Sequence, residues 1–279
     1  MIVVTGASGV IGRVMMDRLS SEGIDAIGVH RKAFDLATGA SLGAYIGERP
    51  EAIIHLAAAV PHSKHYPDNE NSADMTRAID MTVFNAAMEW NCRVVYASSC
   101  SLYDKNTATV KFEDTPVAVR SDSPYMRAKR DGEKMFTTLP CHSILRVPAP
   151  IGLGLPDTVV AKRFFNQALA GQTIRVWGTG KREQNYVDVR DIADMFLRAA
   201  LSKSQGVFNI SANGPTTMLE LAAVMAKVIP GASFELAGVP DPLELEYTRY
   251  SNTRALKVLG WAPTVSLEAS VRYMYKAHQ

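Results

Sequence analysis

The chain has 279 residues, with 30 Lys and Arg against 28 Asp and Glu, a formal net charge of +2. Hydrophobic residues make up 47% and charged residues 21%, the balance of a folded globular protein. So even a charge gives no ground for a nucleic-acid partner or a membrane surface, and no apolar run is long enough to span a bilayer. The length suits one large α/β domain, or a domain with a smaller appendage. Cys92, Cys100 and Cys141 lack CxxC or metal-ligand spacing, and the six histidines show no H-E-x-x-H pattern, so no metal site is expected and the cysteine usage fits a reducing cytoplasm. The apolar run at the N-terminus is short and has no basic residues before it, so it reads as a core strand and not as a signal peptide.

That first run, Met1-Ile-Val-Val-Thr5, leads straight into Gly6, Gly9 and Gly12, and helix-compatible residues follow over 13–21. Strand, tight turn and helix N-terminus is the order that turns backbone N–H groups and a helix dipole toward a pyrophosphate. Gly6 allows the turn, Gly9 a close approach to phosphate, and Gly12 tight packing of helix on strand. A second strand is predicted at 25–29, a helix at 40–47, and an apolar strand run over 52–60. A polar loop at 61–72, a helix from about 73 to 90, and strands at 93–97 and 143–147 come next. Helices alternating with near-continuous apolar strands predict a parallel sheet covered on both faces, with ligands bound beyond the carboxyl ends of its strands. After Val147, Gly and Pro punctuate more often and a smaller lobe is expected. Helices are predicted at 164–170, 191–201 and 218–228, with turns at Asn213-Gly-Pro215 and Ala262-Pro263, and Asp188 or Asp191 can cap the helix beside them.

Two features carry chemistry. Tyr125 and Lys129 are four residues apart, so on a helix their side chains share a face. A neighbouring ammonium lowers a phenol's pKa, which would make Tyr125 an acid/base near neutral pH. Ser98-Ser99 ends a predicted strand, where the sheet argument places site residues, although a strand-end serine can equally satisfy a turn. At the end of the second strand the chain reads Val29-His30-Arg31-Lys32, without the acidic residue that would accept from the ribose of NAD. Basic residues there suit the phosphate of NADP(H), which is favoured over NAD(H), or else a solvated turn.

The chain resembles the extended short-chain dehydrogenases/reductases, in their nucleotide-sugar epimerase, dehydratase and reductase group. The resemblance is carried by Thr5-Gly-Ala-Ser-Gly-Val-Ile-Gly12, Ile54-His-Leu-Ala-Ala58, Val95-Tyr-Ala-Ser-Ser-Cys-Ser-Leu-Tyr103 and Ser123-Pro-Tyr-Met-Arg-Ala-Lys129. It continues through Leu145-Arg146, Gly152, Trp177-Gly-Thr-Gly180, Tyr186-Val-Asp-Val-Arg-Asp191, Phe208-Asn-Ile210 and Leu259-Gly-Trp261. It implies a Rossmann-type doubly wound parallel sheet with a small C-terminal α/β substrate lobe. The dinucleotide domain is expected over 1–150, with parts of 181–212 returning to it, and the substrate lobe mainly over 151–279. It implies Tyr125 as acid/base, Lys129 as its partner and ribose ligand, and Ser99, four residues before Tyr103, as the third member. For the cofactor it implies Gly6, Ser8, Gly9, Val10, Ile11 and Gly12 at the loop, and His30, Arg31, Lys32, Asp35 and Leu36 at the adenosine end. Leu56, Ala57, Ala58, Ala97, Val147 and Pro148 complete that set. It also implies a homodimer through the helix of Tyr125 and the helix at 73–90.

Several positions depart from the group's pattern. Cys100-Ser101 stands where sugar dehydratases carry an acidic pair, so dehydration is not expected. Ser101, not Cys100, aligns with the cysteine of the epimerising reductases. Gln184-Asn185 replaces a diphosphate-binding arginine, Asp241 aligns near a second, and Ala149 stands in for a sugar-side asparagine. Arg182 or Arg249 could supply the missing charge, and His62, Lys64 and His65 could face the substrate or solvent. The expected function is NADP(H)-dependent reduction of a carbonyl, foremost the 4-keto group of a nucleotide-linked deoxysugar. A nucleotide-sugar 4-epimerase is the alternative, and a dinucleotide sensor without catalysis the third reading.

Overall fold

The computed structural model describes residues 1–61, 67–118 and 123–279. Along the chain run β1 (Ile2–Thr5), α1 (Val10–Ser21), β2 (Ala26–Val29), α2 (Leu42–Ile46), β3 (Ala52–His55), α3 (Glu70–Trp90) and β4 (Arg93–Ser99). Then come α4 (Pro124–Phe136), β5 (His142–Val147), β6 (Ala149–Ile151), α5 (Val160–Leu169), β7 (Ile174–Val176), β8 (Glu183–Gln184), β9 (Tyr186–Asp188) and α6 (Val189–Leu201). β10 (Gly206–Asn209), β11 (Thr216–Thr217), α7 (Met218–Val228), β12 (Phe234–Leu236), α8 (Thr253–Leu259) and α9 (Leu267–Lys276) complete the order.

Every residue of β1 and of β3 is buried, as a strand covered on both faces requires. Successive side chains point to opposite faces. Ile2, Val4, Ile54, Val95 and Phe208 therefore pack with α1 and α6, while Val3, Ile53, Val94 and Tyr96 pack with α3 and α4. The sheet is parallel, in the order β10-β5-β4-β3-β1-β2. A separate core of Phe164, Phe165, Val176, Leu221, Met225 and Val271 supports the lobe built on α5, α7 and α9. The chain crosses between the two regions repeatedly. It leaves the sheet after β5, pairs β6 with β9, then returns through α6 to lay β10 beside β5. Among the described residues no helix is long and apolar enough to cross a membrane.

The expected elements are present with shifted ends. The apolar run 52–60 stops being a strand at His55, and the residues after it leave the sheet. α3 starts at Glu70 because the Asn69 side chain accepts from the Ser72 amide at 3.0 Å. α6 starts at Val189, with Asp188 as its cap and Asp191 already inside its first turn.

The glycine loop is held by close backbone contacts. Gly6 has a φ of 68°. A Cβ on Gly12 would lie 2.2 Å from the Gly6 carbonyl oxygen and 2.8 Å from the Ala7 Cα, so α1 seats on β1 only without a side chain there. Gly12→Ala should lower stability by about 1–3 kcal/mol, the ordinary cost of overpacking, read as a lower urea midpoint.

Candidate active site

A cavity of about 1250 Å³ lies beyond the carboxyl ends of β1 to β4. One end is walled by Gly6, Ser8, Gly9, Val10, Ile11 and Gly12, by His30, Arg31, Asp35 and Leu36, and by Leu56, Ala57 and Ala58. Ala97 of β4 lies in the same wall. The other end belongs to the second lobe, with Ala149, Pro150, Arg163, Arg182, Gln184 and Tyr186. Gly9 caps α1 without a side-chain hydrogen bond, which leaves amides of the first turn to whatever enters the loop. An uncapped helix start behind a glycine turn fits a pyrophosphate. Arg13 pins the loop by donating to the Ser8 carbonyl at 2.7 Å. At the adenosine end, Arg31 donates to Asp35 at 3.1 Å, and Asp35 accepts from the Ala37 amide, turning Leu36 into the wall. Lys32, Val147 and Pro148 are not among the wall residues.

Ser123 sets the start of α4 by accepting from the Met126 amide at 3.2 Å, with Pro124 in the first turn. Tyr125 follows, its amide donating to the Asp68 carboxylate at 3.0 Å. One turn on, Lys129 is 2% exposed and donates to the Ala97 carbonyl at 2.9 Å. Its ammonium stands 4.5 Å from the centroid of Tyr96 and 5.9 Å from that of Tyr125. The phenol and the ammonium thus share one side of α4, and the ammonium meets the cavity wall through Ala97.

Ser98 and Ser99 part ways because a strand alternates its faces. Ser98 donates to Glu133 at 2.5 Å in the interior, whereas the Ser99 hydroxyl accepts from the Ser101 amide at 3.1 Å. Among the described residues no hydrogen bond joins Ser99 to Tyr125, and neither they nor Lys129 are cavity-wall residues.

In the protein alone, Lys129 does not bring the Tyr125 pKa down. Burial raises it, and the Asp80 and Asp68 carboxylates push the same way. Burial also lowers the Lys129 pKa, against the pull of Asp80 and Glu133. The resting phenol is protonated.

Of the substrate candidates, Ala149, Arg182 and Gln184 line the cavity. Arg182 donates to Asp241 at 3.2 Å, and among the described residues its buried Nε has no partner. Arg249 is turned instead to Glu183, at 2.6 Å. Cys100 is 1% exposed, donates its thiol to the Arg146 carbonyl at 3.2 Å, and has its pKa raised by burial, so it is an inert core thiol. His62, Lys64 and His65 lie outside the described residues.

Residues not singled out from the sequence form a buried polar chain under the site. Thr5 and His55 Nδ1 are 2.7 Å apart, His55 Nε2 lies 3.0 Å from Asp80, and Tyr96 donates to Asp80 at 2.8 Å. Burial lowers the His55 pKa, so the ring is neutral. It then donates from Nε2 to the carboxylate and accepts the Thr5 hydroxyl at Nδ1. Arg163 and Tyr186 also wall the cavity, and Tyr186 opens the Tyr186-Val-Asp-Val-Arg-Asp191 motif, the one signal in the sequence that points to it.

The sequence profile described as the NAD dependent epimerase/dehydratase family matches residues 2–211. The chain belongs to this family. It is 30% identical over 309 residues to a UDP-glucose 4-epimerase of Mycolicibacterium smegmatis, covering 96% of this chain and 95% of that protein. It is 24% identical over 291 residues to a GDP-6-deoxy-D-mannose reductase of Pseudomonas aeruginosa, covering 97% and 94%. Among solved structures, a UDP-glucose 4-epimerase of Thermotoga maritima with UDP-glucose superposes with a TM-score of 0.85 at 21% identity, over 99% of this chain and 98% of that one. Epimerase or reductase, the chain is an enzyme of this family.

The neutral buried imidazole has a measurable signature. Below about pH 6.5 the unfolded chain takes up a proton at His55 that the folded chain refuses, so stability should fall with falling pH by up to about 1.4 kcal/mol per unit. Between pH 6.5 and 5, His55→Gln should flatten that slope in denaturant titrations.

Proposed function

We propose that the protein reduces a keto group of a nucleotide sugar with NADP(H), foremost the 4-keto group of a deoxysugar nucleotide. The observation that carries the cofactor preference is the pair His30 and Arg31 on the cavity wall, where an acidic side chain would repel a 2′-phosphate. The glycine loop and the start of α1 would hold the pyrophosphate, Leu36 and Asp35 the adenine, and Lys129 the ribose beside the nicotinamide. When bound, the dinucleotide supplies the hydride.

The protein's own residues handle the oxygen. Tyr125, kept neutral by burial, donates its proton to the developing alkoxide. The Ser99 hydroxyl orients the same oxygen, and the Lys129 ammonium stabilises the phenolate left behind. A phenol protonated at rest is the form that a reduction consumes. Cys100 is buried and Ser101 carries no acid, so nothing at these positions supports elimination of water. Arg182, a cavity-wall residue whose buried Nε has no partner among the described residues, takes the substrate diphosphate in place of the arginine that Gln184 replaces.

A second reading, a nucleotide-sugar 4-epimerase, is favoured by the nearly full-length similarity to the Mycolicibacterium enzyme. Turnover separates the two. With a 4-keto-6-deoxy sugar nucleotide, NADPH should be consumed in preference to NADH, and Tyr125→Phe should lower kcat by about 10²–10⁴-fold. Interconversion of 4-epimers without net use of NADPH would establish the second reading instead. Arg182→Ala should raise KM for the sugar nucleotide roughly ten- to a hundredfold, from the loss of a charged hydrogen bond, with kcat little changed.

A further inference from the structure

We propose that Asp80 is a positioning residue for the Tyr125–Lys129 pair, acting through Tyr96 as both the seat and the counter-charge of the Lys129 ammonium. The inference deepens the proposed function, since it rests on Tyr125 and Lys129 acting as described there.

Asp80 sits on the stripe of α3 that faces the sheet, among Thr76, Ile79 and Val83, and is 1% exposed. A carboxylate in so dry a place is costly unless it is hydrogen-bonded and opposed by a positive charge. Its hydrogen bonds come from His55 and Tyr96, neither of which is a cation. The positive charge comes from Lys129, seated on the face of the same Tyr96 ring whose hydroxyl donates to Asp80. Among the described residues the single hydrogen bond of that ammonium goes to the Ala97 carbonyl, so it depends on the ring and the carboxylate for the rest of its surroundings.

The packing of α4 supports the same assignment. Gly132 lies three residues after Lys129, on the same face of the helix. A Cβ there would lie 2.2 Å from the Tyr96 hydroxyl and 2.6 Å from an Asp80 carboxylate oxygen. The helix that carries Tyr125 and Lys129 therefore rests, backbone first, on the Tyr96–Asp80 hydrogen bond. Shifting that bond shifts both functional side chains.

The charged and titratable groups around the pair come from every neighbouring element. Asp80 approaches from α3, Asp68 from the segment before it, Tyr96 from β4, His55 from β3 and Glu133 from α4 itself. Asp80 acts on both members. It favours the charged ammonium of Lys129, against the burial that lowers that group's pKa, and disfavours the phenolate of Tyr125.

Asp80→Asn, nearly isosteric, tests this in the full-length protein. Lysine-selective ¹³Cε NMR, with Lys129→Met to assign the resonance, follows the ammonium directly and needs no substrate. The Lys129 midpoint should fall by about one pH unit or more in Asp80→Asn, and an unchanged midpoint overturns the counter-charge role. In turnover, kcat at neutral pH should drop about ten- to a hundredfold while the sugar-nucleotide KM stays within about twofold. A rise in KM with kcat retained overturns the positioning role. Should Asp80→Asn not fold, Tyr96→Phe decides the matter. It keeps the ring under the ammonium and cuts the link to Asp80, so kcat should fall with KM unchanged, and a wild-type kcat refutes the proposal. The lysine titration is independent of the reaction, so it tests the counter-charge role even in a protein that proves to be an epimerase, or inactive on every sugar nucleotide tried.

Discussion

A guanidinium and a carboxylate buried between α4 and β5 hold the helix of Tyr125 and Lys129 to the sheet. Arg146 meets Glu133 through two parallel hydrogen bonds, at 2.9 and 2.8 Å, with both residues at least nine-tenths buried. Ser98 of β4 donates to the same carboxylate, and Arg146 also donates to the Tyr103 hydroxyl and the Glu113 carbonyl. Tyr103 and Glu113 in turn bond Asn209 of β10. One ion pair thus joins a helix, three adjacent strands and the loop between β4 and α4. Removing either partner would strand a charge in the interior, at a cost of about 3–5 kcal/mol. The placement of Tyr125 and Lys129 requires that α4 does not slide along the sheet, and this cluster opposes that movement.

The division of labour around α4 follows from that anchor. Its C-terminal half is bound to β4 and β5 through Glu133. Its middle lies on Tyr96 and Asp80. Its N-terminal turn presents Tyr125, held by the bond from its amide to Asp68. The buried anchors thus lie toward the C-terminal end of α4, and at the other end burial raises the Tyr125 pKa and favours the neutral phenol.

Much of this was readable from the chain because it is local. The β-branched runs announced β1, β3, β4 and β5, the glycine spacing announced the loop, and the Tyr-x-x-x-Lys spacing put two side chains on one helical face. What failed to show was set by contacts distant in sequence. The run 52–60 is apolar throughout, and nothing in it marks His55 as the point where the strand must end so that Leu56, Ala57 and Ala58 can wall the cavity. Asp80 sits in an otherwise ordinary amphipathic stripe, its partners on β3 and β4. The rise in the Tyr125 pKa comes from burial with Asp68 and Asp80, which the four-residue spacing to Lys129 cannot reveal. Strands of two or three residues in the second lobe are too short to carry a period of their own.

The first turn of α6 ties the two regions together. Asp188, its cap, accepts from Ser270 of α9 at 2.6 Å, while Asp191 accepts from Thr264 and Val265 and offers its carbonyl to Trp261. With β6 paired to β9 and α6 packed on α1, the crossings are multiple and welded, unlike a single linker. A body braced in this way cannot gape about one hinge. The glycine loop and Arg182, which wall one cavity from the two regions, are therefore coupled through several crossings at once, and strain at one end is carried to the other through paired strands and buried carboxylates.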